Sequence, residues 1–87
     1  MSSPKEILHV LSTITETDEV LSNPDLRLYD LQILDSMRTV ELLLAVSLEL
    51  GVDIQPAAFD RESWATPRKF LDDILRRSVV EDRVLIP

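Results

Sequence analysis

The segment from Ser36 to Leu50, Ser36-Met37-Arg38-Thr39-Val40-Glu41-Leu42-Leu43-Leu44-Ala45-Val46-Ser47-Leu48-Glu49-Leu50, constrains this chain more than any other. It opens on the polar step Asp35-Ser36 and is stopped by Gly51, the one glycine of the chain. Glycine supplies the left-handed residue that commonly ends a helix, and a serine oxygen can accept from the free amides of a first turn, so Ser36 is expected to be the N-cap. At 100° per residue, Leu42, Leu43, Val46 and Leu50 fall on one side, and Met37, Val40, Glu41, Leu44 and Leu48 on the other. A solvent-facing helix normally has a single apolar stripe. Two apolar faces require that the helix be surrounded, or that one face wait for a partner.

The surroundings available are small. A chain of 87 residues supports one compact core, burying roughly 60% of the surface its unfolded form exposes. With no cysteine and a single histidine, His9, disulfides and thiolate or multi-histidine metal sites are excluded. No run approaches the ~20 apolar residues of a membrane span. No basic-then-apolar leader opens the sequence, which sets the cytoplasm as the expected location. A net charge of −7 disfavours nucleic acid and points to proteins with basic patches as partners.

Ser3-Pro4-Lys5-Glu6 has the form of a capped helix start, and Ile7, Leu8, Leu11 and Ile14 give a stripe over about residues 4–15. Residues 16–35 hold one short turn at Asp18-Glu19-Val20-Leu21 and a turn signal at Ser22-Asn23-Pro24-Asp25. The remainder is an expected ordered loop, pinned across the helices by Leu26, Leu28, Leu31, Ile33 and Leu34, with the Tyr29 hydroxyl at the surface. After Gly51, Val52-Asp53-Ile54 is extended and Ala57–Asp60 makes at most one helical turn. Trp64 and Phe59 plug one end of the core. Thr66-Pro67 opens a last helix, threonine as cap, with Phe70, Leu71, Ile74 and Leu75 inward. Three main helices and a short one make an all-α bundle.

Catalytic chemistry finds little support. A hydrolase built on Ser36 would need His9 beside it. Asp72-Asp73 and Glu81-Asp82 sit on expected solvated faces, and Asp18, Glu19 and Asp30 lack the spacing of a calcium loop. A phosphate at Ser36, however, would meet unpaired amides and the positive end of a helix dipole.

Asp35-Ser36-Met37, followed by Thr39-Val40-Glu41-Leu42, resembles the attachment motif of acyl carrier proteins, in which the serine receives a 4'-phosphopantetheine arm from coenzyme A. Over roughly residues 16–75, Asp18-Glu19-Val20, Asn23-Pro24-Asp25-Leu26 and above all Phe59-Asp60-Arg61-Glu62-Ser63-Trp64-Ala65-Thr66-Pro67 look most like the D-alanyl carrier proteins. Residues 79–87, which alternate apolar and charged residues without a cap, are expected to be a mobile tail beyond a carrier domain of residues 1–78. The resemblance implies an all-α, acyl-carrier-type four-helix bundle. It implies no catalytic residue and no metal, an arm at Ser36 holding an aminoacyl or acyl thioester, and a monomer. Asp35, Met37, Arg38, Val40, Glu41, Leu44 and Leu48 would meet the partners: a phosphopantetheinyl transferase, an adenylating ligase and a downstream acyl or aminoacyl transferase.

Two departures stand out. The glycine usual shortly before the Asp-Ser pair is replaced in the region of Gln32 and Ile33, and Arg38 adds a positive charge near the phosphate, read here as a selectivity element. The arginine-rich composition and the tail suit a carrier of natural-product biosynthesis as well as one serving teichoic acids. A helical adaptor using Met37, Val40, Leu44 and Leu48 is the alternative of a different class.

Overall fold

The computed structural model describes residues 3–84, with side chains through Arg77. Among the described residues there are four α-helices and no strand: α1 Pro4–Thr15, α2 Glu19–Ser22, α3 Ser36–Leu50 and α4 Pro67–Val84. This is the small all-α bundle that the periodicity predicts.

Local signals explain most boundaries. Ser3 is extended, and its hydroxyl accepts from the Glu6 amide at 3.3 Å. The Glu6 carboxylate answers by accepting from that hydroxyl at 3.2 Å. At the other end, Glu16 takes the left-handed conformation with φ 58°, unusual for a residue with a side chain. Gly51 ends α3 at φ 68°, the position glycine occupies without steric cost. Thr66 caps α4 by accepting from the Lys69 amide at 3.2 Å.

The core is made by inward stripes of the three long helices. Ile7, Val10 and Leu11 of α1 meet Leu42, Leu43 and Val46 of α3, and Phe70 and Ile74 of α4 complete it. Each fully buried aliphatic or aromatic side chain contributes about 1.5–3 kcal/mol. Trp64 is fully buried, with ring centroids 4.6 Å from Phe59 and 4.9 Å from Phe70 in edge-to-face packing. Two 3-10 turns, Pro56–Ala58 and Arg61–Trp64, carry the chain from α3 to α4. The second of these had no signal in the periodicity.

The loop between α2 and α3 is pinned as expected by Leu26, Leu28 and Leu34, and also by a backbone bond from Leu28 N to Ala65 O at 2.9 Å. Leu31 does not join them and is 58% exposed. The loop coils rather than alternates: Leu31 N donates to Arg27 O and Gln32 N to Tyr29 O, both at 3.1 Å. That coiling abolishes the period of two on which the expectation for Leu31 rested.

Two further expectations change. Helix α4 continues to Val84, past the boundary drawn at 78, because no glycine or proline interrupts the chain before Pro87. The tail is thus helical over 79–84, and residues 85–87 lie outside the described residues. Asp73 is not on a solvated face but buried. It accepts from Trp64 Nε1 at 3.0 Å and pairs with Arg77 Nε at 3.0 Å. An indole N–H enclosed in a core requires an acceptor, and Asp73 supplies it.

Candidate functional site

The site is the first turn of α3. Asp35, extended at φ −137° and ψ −173°, is the residue that caps it: its Oδ1 accepts from the Arg38 amide at 2.8 Å. The expected assignment of the cap to Ser36 is therefore off by one. An N-cap must have non-helical backbone, and Ser36 already lies within the helix as its first residue. The displacement matters chemically. Ser36 is exposed, its hydroxyl makes no hydrogen bond among the described residues, and it stands where helix amides are unpaired and the dipole is positive.

Two neighbours fasten this turn. The Thr39 hydroxyl donates to Asp35 O at 2.6 Å and lies 2.7 Å from the Tyr29 hydroxyl. Since the single Thr39 proton goes to Asp35, Tyr29 is the donor of that second bond. The Tyr29 hydroxyl is therefore held against α3 rather than left at the surface, and the Arg61 guanidinium lies over its ring, 4.6 Å from the centroid. On the other flank, the Arg38 side chain reaches back to the end of α1. Its Nη1 donates to Ile14 O at 3.2 Å and Thr15 O at 2.9 Å, and its Nη2 pairs with Glu16 Oε2 at 3.0 Å. A guanidinium at the C-terminus of a helix satisfies orphan carbonyls and complements the dipole.

Beyond this turn, α3 presents the second apolar face expected from its pattern. Met37 is 74% exposed, Val40 64%, Leu44 61% and Leu48 75%; Asp35 and Glu41 are exposed beside them. Four large apolar side chains in one row of a single helix exceed the scattered exposure normal for a surface. Leu21 and Leu31 are also exposed. Exposure of these two could not be read from sequence, because α2 is a single turn and Leu31 lies in a coiled loop, neither long enough nor regular enough to show a period.

The residues do not assemble a hydrolase. His9 borders a cleft with Glu49 and Leu50, at the opposite end of α3 from Ser36. The intervening helix of 15 residues separates them by roughly 20 Å at 1.5 Å per residue. Among the described residues no group of three His, Asp or Glu is placed to hold a metal ion. No helix there is long and apolar enough to cross a membrane. What remains is an exposed nucleophilic hydroxyl on a rigid helix start, with no base of its own.

No protein-family model matches the chain. Individual proteins do. It is 38% identical over 74 residues to the D-alanyl carrier protein of Enterococcus faecalis, covering 85% of this chain and 95% of that protein. The D-alanyl carrier protein of Listeria monocytogenes is 39% identical over the same coverage. That of Lacticaseibacillus rhamnosus is 43% identical over 65 residues, 75% of this chain and 80% of the relative.

Proposed function

Since this chain belongs to the D-alanyl carrier protein family, we propose that it holds an aminoacyl or acyl group as a thioester on a 4'-phosphopantetheine arm attached at Ser36. The observation that carries the assignment is the one-residue offset of the cap. Asp35 closes the helix, which leaves the Ser36 hydroxyl exposed and unpaired beside the amides of the first turn. The bound arm supplies a thiol at the end of a long tether. The protein supplies position and a recognisable surface, with no catalytic group of its own.

Partners are enzymes. A phosphopantetheinyl transferase would install the arm, an adenylating ligase would load it, and an acyl or aminoacyl transferase would take the cargo. Asp35 and Glu41 offer negative charge to a basic partner. Met37, Val40, Leu44 and Leu48 offer a row of apolar anchors at helical spacing, and such anchors give most of the affinity at an interface. Coenzyme A as donor makes the cytoplasm the compartment of this reading. The names of the relatives make D-alanine the first cargo to try. Delivery to a teichoic acid and delivery into a natural product use the same thioester, and the amino acid accepted by the cognate ligase divides them.

The test is mass spectrometry after incubation with coenzyme A and a phosphopantetheinyl transferase. The wild type gains one arm and Ser36→Ala gains none. Equal gains in both proteins, or none in either, refute attachment at Ser36. A helical adaptor is separated by Ser36→Ala, which would retain full function there, whereas Leu44→Asp impairs both an adaptor and a carrier.

A further inference from the structure

Arg38 and Thr39 lie two and three residues beyond Ser36, about 200° and 300° around the helix from it. Neither reaches over the serine; each is engaged with a different neighbour. Arg38 holds two carbonyls at the end of α1 and the carboxylate of Glu16, and its side chain is only 34% exposed. Thr39 is buried and joins the Asp35 carbonyl to the Tyr29 hydroxyl. First turns of helices fray, and a short N-terminal turn has no preceding turn to hold it. Here the turn bearing Ser36 is fastened on one flank to α1 and on the other to the loop, where Arg61 covers Tyr29.

Resting on the assignment of Ser36 as attachment point, we infer that Arg38 and Thr39 are positioning residues for arm transfer, and that Arg38 is not a contact read by partner enzymes. In the transfer, the Ser36 Oγ–P bond forms as a P–O bond of the coenzyme A pyrophosphate breaks. The 3'-phosphorylated adenosine 5'-phosphate leaves, and the hydroxyl proton passes to a base of the transferase. Such an in-line displacement depends on where Oγ stands, and a misplacement of about 1 Å can cost ~100-fold in rate. Three of the five N–H donors of the Arg38 guanidinium are already bonded to oxygens of its own chain.

The experiment measures steady-state arm transfer from coenzyme A, with carrier concentration varied, below the melting temperature of every variant. Arg38→Met and Thr39→Val are expected to lower kcat about tenfold with KM for the carrier within about twofold of wild type. Thr39→Ser restores the hydroxyl and most of the rate. Arg38→Lys restores part, since one ammonium replaces a planar fork. The loss in Arg38→Met is the same at low and high salt.

Unchanged kcat in both variants overturns the inference. So does a rise in KM in Arg38→Met that varies with salt, which makes Arg38 a direct partner contact. If either variant fails to fold, Tyr29→Phe, lacking only the oxygen that bonds Thr39, carries the same kcat prediction and the same refutation. No arm on the wild type overturns the Ser36 assignment instead, and the positioning role with it.

Discussion

Replacing Asp73 with alanine tests whether the core is organised around the Trp64–Asp73 contact. Trp64 is fully buried between Phe59 and Phe70, and its Nε1 donates to Asp73 Oδ2 at 3.0 Å. Among the described residues no buried side-chain nitrogen or oxygen lacks a partner, so the substitution would create the first. A buried donor left unsatisfied costs about 1–3 kcal/mol. Arg77, 35% exposed in its side chain, also loses its carboxylate; solvent reduces that loss to about 0–1 kcal/mol. Together these give about 1–4 kcal/mol, a large part of the 5–10 kcal/mol on the order of which a domain of this size is stable. The melting temperature should fall by roughly 5–30 °C. Asp73→Asn keeps an acceptor for the indole and should cost about 1 kcal/mol. Trp64 is the sole tryptophan, so urea titration followed by its fluorescence, with far-ultraviolet circular dichroism as a second probe, reads the region directly. A loss under about 0.5 kcal/mol in Asp73→Ala would show that the contact carries no net stability.

Leu44→Asp, at a 61% exposed position, should keep the fold within about 1 kcal/mol yet abolish aminoacylation by the ligase; Leu42→Ala, at a fully buried one, should cost about 2–5 kcal/mol in a denaturant titration. Asp35→Asn preserves a good cap while removing a charge, so its melting curve should match wild type while transferase association slows at low salt; Asp35→Ala should lose about 1 kcal/mol as well. Gln32 stands at φ 60°, a conformation costing a residue with a Cβ roughly 1–2 kcal/mol. Gln32→Gly relieves this while adding about 0.4–1 kcal/mol of unfolded-state entropy, so a net gain of about 0.5–1 kcal/mol should appear in thermal melts.

That last residue marks where sequence reading reached its limit. Helices α1 and α3 were legible end to end, because Ser3, Pro4 and Gly51 are local signals and the apolar period runs between them. The start of α4 followed in the same way from Thr66-Pro67. Choosing Asp35 over Ser36 as cap was not possible from the residues alone, as both types cap well. The choice depends on which of them is still extended when the loop arrives. The loop arrives through a left-handed Gln32 and a buried Leu34, with the amides of Ile33 and Leu34 both bonded to Leu28 O. Gln32 occupies the region where the family motif usually has a glycine, so the sequence hid a left-handed turn that a glycine would have announced.

The polar contacts that were missed share one property, a partner the periodicity cannot see. Arg38 meets carbonyls 23 and 24 residues earlier, Thr39 meets a tyrosine ten residues earlier, and Asp73 meets an indole across an unforeseen 3-10 turn. Two of the three surround Ser36. Ser36 is thus a local feature, legible as a serine opening a helix, while the contacts around it join residues brought together only by the fold. An Asp-Ser-Met step grafted onto an unrelated helix would keep the cap and the dipole but not the fastening to α1 and the loop. It should then accept the arm slowly even where the transferase binds it. Reduced turnover at unchanged KM is the expected behaviour of such a graft, and normal turnover would show that the cap alone positions the serine.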